Sequence, residues 1–408
     1  MRVFVSVIAI GLAACAINQE GNLGATKMGD LTNPAKRGSP IEAVRTACGD
    51  GTMTAAGEAV IRRQPYLQQV TTTSAMIGWV TTAPTGEHIN LTTVAGAPVT
   101  SAVATVEEGL QRNAGEKQMW ATLGGLTPDT IYCYVIENGT LLSERTGFKT
   151  APAATSTAPV RFMAFGDSGG GGTDQHELRD RMLEFPYDLI IHTGDIAYDE
   201  GTIGQFEDNV FGVYAELFRN LPFFPAAGNH EYKTLQGAPF RSVFAIPGGN
   251  GEKWYSYDWG KVHFAALDTE ASYSTQAAWL DHDLATSQQP WKIIYLHRPP
   301  YSSGSHGSDG ALREALAPVL QKHGVQLVLA GHDHDYERMK PQQGVAYVVT
   351  GGGGKGTREV GSSSFTAFSE AVIHFVYVEV DADELVLHAI DANGVEFDSM
   401  VVPRVTRL

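Results

Sequence analysis

The stretch Asp188-Leu189-Ile190-Ile191-His192-Thr193-Gly194-Asp195-Ile196-Ala197-Tyr198 guides the interpretation of the whole chain. Its apolar run is typical of a buried strand in a parallel sheet, and ligands of such sheets bind beyond the carboxyl ends of the strands. Asp195 is therefore expected at a site. Tyr198 can bring its phenol oxygen to the same point, and two such oxygens suit a hard metal ion. Taken alone, Gly194-Asp195 is more often an ordinary turn.

Four further polar clusters each follow an apolar run of their own. They contain Asp167; Asn229 with His230; His297; and His332 with His334. The order strand, helix, strand between residues 160 and 195 predicts a βαβ unit, which places two of the clusters at adjacent strand ends. Five clusters in one α/β region indicate a shared site. The set is too large for one tetrahedral zinc ion and suits two ions bridged by one carboxylate.

Residues 61–150 have a different pattern, in which apolar and polar residues alternate over short runs. The alternation places Ile77 and Trp79 on one face of a strand, and strands of this length and spacing predict a small β-sandwich. The segment from Leu126 to Tyr132 resembles the Leu, Pro, Thr, Tyr pattern of fibronectin type III domains. Residues 151–159 form a low-complexity linker, and residues 160–408 are expected to form the catalytic domain, including the C-terminal strands.

The N-terminal residues predict export. The apolar run Val3–Leu12 is too short to span a bilayer, so residues 1–15 are interpreted as a signal peptide. Small residues directly before Cys15 resemble the lipobox of bacterial lipoproteins. That resemblance implies a lipid on Cys15 and a location in the periplasm or at the cell surface, with anchoring in the outer membrane. The alternative is an ordinary signal peptide, in which Cys15 carries no lipid.

Residues 16–60 are predicted to be a flexible tether, because they are rich in Gly, Ala, Thr and Asn and lack periodicity. Two cysteines remain, Cys48 and Cys133. An even number in an exported protein allows one disulfide, but Cys133 can equally be a buried thiol.

The chain has 408 residues and a formal net charge of −16. This charge argues against nucleic acid or an anionic membrane surface as a partner, so the only membrane contact expected is the lipid on Cys15. The oligomeric state is not indicated. A site for phosphate in such a protein needs strong local positive charge, which bound metal ions can supply.

The five clusters, in this order, resemble the blocks of the metallophosphoesterases, and Tyr198 resembles the tyrosine of the purple acid phosphatases among them. The resemblance extends over about residues 60–402. It implies an α/β fold with a βαβαβ core, in which two packed mixed sheets are flanked by helices. A small β-sandwich of the fibronectin type III kind is expected to precede this core.

The resemblance also implies the ligands of a binuclear centre. Asp195 is expected to bridge the two ions. A ferric ion is further bound by Asp167, Tyr198 and His334, and a divalent ion (iron, zinc or manganese) by Asn229, His297 and His332. Activity as an acid phosphatase follows from this resemblance. Hydroxide on the metal centre would attack a phosphomonoester directly, with no covalent phosphoenzyme.

Two histidines that are not expected to bind metal, His230 and His306, are candidates for the general acid. They are also implied to bind substrate, together with Asn229 and Arg298. The family often has two adjacent histidines where this chain has His306-Gly307, so the choice between His230 and His306 as the general acid stays open. The metal ligands do not distinguish a phosphatase from a phosphodiesterase. The alternative to an enzyme is a non-catalytic surface protein, which would bind its partner through the fibronectin-like domain.

Overall fold

The computed structural model describes residues 41–248 and 253–404. The predictions for the signal peptide, Cys15 and the first part of the tether lie outside these residues. Within them, no helix has both the length and the apolar character needed to cross a membrane.

Residues 41–60 are folded, so the tether prediction is wrong for this segment. They form the helices α1 (Glu42–Cys48) and α2 (Ala55–Val60). Val44 and Cys48 are buried, and Cys48 is joined to Cys133 by a disulfide. The covalent bond and the buried side chains hold this segment against the domain that follows it.

The β-sandwich predicted for residues 61–150 is confirmed. Two four-stranded sheets, with the orders β1-β2-β6-β5 and β4-β3-β7-β8, pack around the fully buried Trp79. The Tyr132 hydroxyl accepts a hydrogen bond from the Thr127 amide at 2.9 Å, which closes the corner before β7. The strands are β1 (Ile61–Gln68), β2 (Ser74–Thr81), β3 (His88–Thr93), β4 (Pro98–Val103), β5 (Thr105–Glu107), β6 (Lys117–Gly124), β7 (Ile131–Glu137) and β8 (Thr146–Lys149).

The larger domain contains two mixed sheets, as predicted. The first has the order β11-β10-β9-β19-β20-β21 and the second β12-β13-β14-β15-β17-β16-β18. Their strands are β9 (Val160–Phe165), β10 (Leu189–His192), β11 (Phe223–Pro225), β12 (Tyr255–Trp259), β13 (Val262–Ala266), β14 (Trp291–Tyr295), β15 (Leu327–Ala330), β16 (Tyr336–Met339), β17 (Ala346–Thr350), β18 (Thr366–Glu370), β19 (His374–Val380), β20 (Glu384–Asp391) and β21 (Glu396–Pro403).

Helices flank these sheets. They are α3 (Thr173–Met182), α4 (Ile203–Phe206), α5 (Gly212–Phe218), α6 (Asn229–Tyr232), α7 (Ala238–Val243), α8 (Tyr273–Thr286) and α9 (Gly310–His323), with a π-helical turn at Glu207–Phe211 and a 3₁₀ turn at Leu235–Gly237. The sheets face each other through edge-to-face rings such as Phe162 and Phe264, whose centroids are 5.3 Å apart.

Strands β9, β10 and β11 are parallel neighbours, as are β13, β14, β15 and β17. The carboxyl ends of β9, β10 and β11 therefore meet at one edge of the first sheet, and those of β14 and β15 meet at the second. All five polar clusters follow one of these strands. The fold thus brings the clusters toward a common region.

The sandwich is attached to the larger domain through buried polar contacts. Arg63 on β1 is 1% exposed and forms an ion pair with Glu207, while its Nη1 donates to Gln118 Oε1 at 2.7 Å. The Tyr66 hydroxyl donates to the Val243 carbonyl at 2.6 Å. Because an uncompensated buried charge is costly, these contacts fix the sandwich on the larger domain.

Candidate metal centre

The seven predicted metal ligands lie at the carboxyl ends of five strands. Three of them, Asp167, Asp195 and His332, have backbone φ angles of 57°, 54° and 73°. Left-handed conformations of residues other than glycine are costly and are concentrated at functional sites. At each of these three positions the left-handed conformation turns the backbone sharply, shortly after the strand ends.

One group of ligand atoms surrounds the phenol of Tyr198. Its hydroxyl oxygen lies 2.8 Å from Asp167 Oδ1, 3.0 Å from Asp195 Oδ2 and 3.1 Å from His334 Nε2. His334 Nε2 is also 3.5 Å from Asp167 Oδ1. These four side chains are those that the resemblance implies for the ferric ion.

A second group of ligand atoms surrounds His297. Its Nε2 lies 3.2 Å from Asp195 Oδ2, 3.1 Å from Asn229 Oδ1 and 3.1 Å from His332 Nδ1. Ligand atoms of Asp195, His297 and His332 all lie within 4.8 Å of one another. Asp195 Oδ2 thus contacts a member of each group, which is the position a bridging ligand needs.

The charges of these residues fit bound cations. Asp167 and Asp195 are 0% and 2% exposed, and within the described part of the chain neither forms an ion pair with a lysine or arginine. Buried carboxylates are normally paired or coordinate metals. Carboxylates and a phenol suit a hard ion, whereas imidazoles and an amide suit a borderline one, so the donor set fits two different ions.

The two carboxylates differ electrostatically. Burial raises the pKa of Asp167 well above its usual range, and the Asp195 carboxylate adds to this shift. Burial also opposes ionisation of Asp195, but His297 outweighs it and holds the Asp195 pKa below its usual range. Although burial acts against it, Asp195 with Asp167 raises the pKa of His297 to about 9. Asp195 is therefore the carboxylate best stabilised as an anion.

Backbone groups and one buried acid hold the ligands in place. His297 Nδ1 lies 2.9 Å from the Thr193 carbonyl, and the His332 amide donates to Asp167 Oδ2 at 2.8 Å. Glu231, which is fully buried, accepts from the amides of residues 195, 196, 197 and 228 at 2.8–3.0 Å. No role was predicted for Glu231 from the sequence. Its position as the third residue of α6 indicates a cap, because an acid there can reach back to the amides at the start of the helix.

Asp333 organises the loop that carries His306. Its carboxylate accepts from the Ser302 hydroxyl at 2.5 Å and from the amides of His306 and Gly307 at 2.7 and 3.2 Å. The His306 ring consequently stacks on His332, with centroids 4.1 Å apart. No role was predicted for Asp333, because the sequence does not reveal the loop that folds over it.

His230 lies beside the first group and faces it with one ring nitrogen. Its Nδ1 is 2.7 Å from the Asp199 carbonyl and 3.1 Å from Lys233 Nζ. Its Nε2 is 3.8 Å from Asp195 Oδ2, and its ring centroid lies 4.3 Å from that of Tyr198. Burial lowers the pKa of His230, against the effect of Asp195.

Arg298 also lies at the site, but its charge is shared. Its Nε donates to Glu270 Oε1 at 2.7 Å, and its Nη1 is 3.4 Å from His332 Nε2. The structure therefore places all nine predicted metal and acid residues, with Arg298, in one region.

Comparisons with known proteins show which families the two domains resemble. Residues 160–336 match the calcineurin-like phosphoesterase family, and residues 63–150 match the purple acid phosphatase N-terminal domain. The chain is 27% identical over 307 residues to human acid phosphatase type 7, covering 66% of this chain and 68% of the relative. It is 28% identical over 367 residues to the Arabidopsis thaliana protein named probable inactive purple acid phosphatase 1. That match covers 74% of this chain but only 57% of the plant protein.

The fold also matches a solved structure. The purple acid phosphatase PPD1 from yellow lupin seeds superposes with a TM-score of 0.75 at 22% identity, covering 83% of this chain and 74% of that one. At this identity the match supports the fold. The two family matches bear out the resemblance to metallophosphoesterases and purple acid phosphatases that the sequence blocks carry.

Proposed function

We propose that this chain, a calcineurin-like metallophosphoesterase with the N-terminal domain of purple acid phosphatases, hydrolyses phosphomonoesters at a binuclear metal centre. The observation that carries the proposal is the position of Asp195 Oδ2, 3.0 Å from the Tyr198 hydroxyl and 3.2 Å from His297 Nε2. One carboxylate thus joins a group rich in oxygen ligands to a group rich in nitrogen ligands. A ferric ion in the first group and a divalent ion in the second fit these donors.

When bound, two such ions polarise a phosphoryl group and activate water for in-line attack on phosphorus. The protein must then orient the ester and protonate the leaving oxygen. Asn229 and Arg298 lie where they can contact the phosphate. Asp195 and the backbone groups around it keep the ligand geometry fixed while the ester is exchanged for product.

We favour His230 over His306 as the proton donor, because of the contacts of their ring nitrogens. His230 Nε2 faces the centre, 3.8 Å from Asp195 Oδ2, whereas its Nδ1 contacts the Asp199 carbonyl and Lys233 Nζ. Nε2 is therefore the nitrogen from which His230 would give a proton to the leaving group. By contrast, Arg358 Nη1 lies 2.5 Å from His306 Nε2. A guanidinium only donates, so His306 Nε2 must act as an acceptor in this contact.

The test of the proposed function is a comparison of initial rates on p-nitrophenyl phosphate and bis(p-nitrophenyl) phosphate, with metal-replete protein, across pH. We expect a strong preference for the monoester that persists at acid pH. A preference for the diester would keep the metal centre but make the protein a phosphodiesterase. Rates near background on both esters would favour a binding protein, a result that the name of the plant relative makes worth testing.

We also propose that the chain is exported and anchored by a lipid on Cys15. The disulfide between Cys48 and Cys133 supports export, since such bonds persist in oxidising compartments. Growth of an expressing bacterium with labelled palmitate should label the wild-type chain but not the Cys15→Ser variant. Equal labelling of both proteins, or of neither, would contradict the lipid anchor.

A further inference from the structure

A π-helical turn, Glu207–Phe211, lies between the sandwich and the metal centre. It interrupts the path from α4 to α5. Turns of this kind are rare and are frequently found at functional sites. The first and last residues of the turn contact the sandwich, whereas its middle residue, Asn209, contacts the loops that carry metal ligands. The turn therefore connects the two domains at the site.

The side chain of Asn209 joins two ligand loops. Its Nδ2 donates to the carbonyls of Gly169 and Tyr198, at 3.0 and 3.3 Å. The Gly169 carbonyl also accepts from the Tyr198 amide at 2.9 Å. One of these loops carries Asp167, and the other carries Asp195 and Tyr198, so together they supply three of the four ligands predicted for the first group. One amide group therefore fixes the spacing of these ligands.

The two loops and Asn209 pack closely. A Cβ at residue 169 would lie 1.6 Å from the Ile196 carbonyl oxygen, and one at residue 171 would lie 2.6 Å from Asn209 Oδ1. Glycine at these positions allows the backbones to approach each other and the amide. The Asn209 carbonyl in turn accepts from Gln175 Nε2 on α3 at 2.7 Å. Both the backbone and the side chain of Asn209 are thus held in place.

The sandwich holds both ends of the turn through Arg63 on β1. The Arg63 Nε lies 3.1 Å from Glu207 Oε1, and its guanidinium carbon lies 4.2 Å from the centroid of the Phe211 ring. The Tyr66 ring packs on Phe211 as well, with centroids 4.8 Å apart. The side chains of Arg63 and Glu207 are 0% and 12% exposed. Because breaking a buried ion pair is strongly unfavourable, the turn is fixed to the sandwich.

We propose that the sandwich takes part in building the metal centre, because it positions Tyr198 through the π-helical turn and Asn209. Asn209 donates to backbone carbonyls of the ligand loops and is therefore a positioning residue. This role rests on the proposed function, since it takes Tyr198 to be a ligand of the ferric ion. It gives the N-terminal domain a part in the reaction that does not require a binding partner.

The first test measures the visible band of the iron-bound Tyr198 and kcat/KM for p-nitrophenyl phosphate, in metal-replete protein. Asn209→Ala should move the maximum of the band and lower kcat/KM about tenfold or more, because a displaced ligand loop misplaces the reacting groups. Asn209→Gln keeps the amide and should recover part of both. The control is Asn138→Ala in the sandwich, which removes the same amide from a contact with the Thr85 hydroxyl at 2.8 Å. It should leave both unchanged.

The part played by the sandwich is tested by the double variant Arg63→Met/Glu207→Gln, which removes the ion pair without leaving a buried charge unpaired. It should move the band in the same direction as Asn209→Ala. Phe211→Leu, which keeps the ion pair, should give a smaller shift of the same sign and serves if the double variant does not fold. A band that moves in Asn209→Ala but in neither of these variants would overturn the role of the sandwich. A band that stays in place in Asn209→Ala would overturn the whole inference.

Hydrogen exchange in metal-free protein separates this inference from the proposed function. Exchange should be faster than in wild type for peptides covering residues 166–172 and 194–199, both in Asn209→Ala and in the sandwich variant that folds. If the wild-type protein shows no visible band and hydrolyses neither ester, the proposed function fails, but faster exchange in these variants would still support the positioning of the loops. Exchange equal to that of wild type would contradict it.

Discussion

At the scale of single residues, Tyr198 is the side chain that most restricts which metal ion the site would favour. Its phenol oxygen lies within 3.1 Å of Asp167, Asp195 and His334. Burial raises the Tyr198 pKa, and the two carboxylates raise it further. A trivalent cation bound to the oxygen would lower this pKa and so allow the phenol to lose its proton.

We therefore expect protein carrying its native metals to absorb visible light through a phenolate bound to iron. The Tyr198→Phe variant should lose this band, because it keeps the ring and removes only the oxygen. Visible spectra of the two proteins at equal iron content provide the measurement. An iron-loaded wild type without colour, or an unchanged band in the variant, would show that Tyr198 is not a ligand.

The two candidate acids can be distinguished by the leaving group. If His230 protonates it, His230→Ala should lower kcat by about 10²- to 10⁴-fold for alkyl phosphates, whose alcohols are poor leaving groups, and much less for p-nitrophenyl phosphate. His306→Ala serves as the comparison and should affect both esters alike. The reverse pattern would assign the acid to His306.

Sequence patterns were sufficient to predict that the candidate ligands share one site, because their clusters each follow a recognisable apolar strand. They could not predict Glu231 or Asp333 as supports, since those roles depend on which backbone amides the fold brings near each carboxylate. The contact of Arg358 with His306 could not be predicted for the same reason. Arg358 is 24 residues beyond His334 in sequence, and the path of residues 351–361 brings the two together.

At the scale of secondary-structure elements, His263 joins two strands and a helix. Its Nδ1 lies 2.7 Å from Asp258 Oδ1 on β12, and its Nε2 lies 2.8 Å from Asp283 Oδ2 on α8. Although burial opposes the shift, the two carboxylates raise the pKa of His263 from 6.5 to about 9. This imidazolium therefore stabilises the edge of the second sheet.

The contribution of His263 to stability should depend on pH. Because its pKa is raised in the folded chain, the stabilisation is complete below pH 6.5 and is lost as pH rises through 9. His263→Gln should lower the free energy of unfolding by up to about 3 kcal/mol at pH 6 and by much less at pH 10. Denaturant unfolding of both proteins at the two pH values provides the measurement. If the two proteins differ in free energy of unfolding by the same amount at both pH values, the protonated His263 does not stabilise the fold through its two carboxylate contacts.

Strand alternation was sufficient to predict the sandwich, and apolar runs predicted the βαβ unit. The two packed mixed sheets were predicted from the resemblance to the metallophosphoesterases. The helices α1 and α2 were not predicted, because they have only 7 and 6 residues, too few for a helical period to be visible. Their stability comes from the packing of Val44 and Cys48 and from the disulfide, which are tertiary effects.

At the scale of the whole molecule, the bond between Cys48 and Cys133 closes a loop across 85 residues. A crosslink over such a loop restricts the unfolded chain, and its loss typically costs about 2–5 kcal/mol. The double variant Cys48→Ser/Cys133→Ser should therefore unfold at a lower denaturant concentration. Reduction of the wild type should reproduce the change. If the midpoints of all three samples coincide, the disulfide does not stabilise the fold.

The side chains of the site supply little net positive charge of their own. The chain as a whole carries −16, and two cations beside the site, Arg298 and Lys355, form ion pairs with Glu270 and Asp199. A phosphate ester would therefore be attracted only at short range, where bound metal ions can outweigh the distant carboxylates. On the proposed function, the binuclear centre would contribute to binding of the ester as well as to its hydrolysis.

The number of metal ions per chain in active protein, measured by mass spectrometry together with the rate on p-nitrophenyl phosphate, decides whether this centre exists. We predict two ions per chain in the wild type, one of them iron, and loss of both ions and of activity in Asp195→Asn. Full activity with one ion or none, or an Asp195→Asn variant that keeps both ions, would contradict the binuclear site.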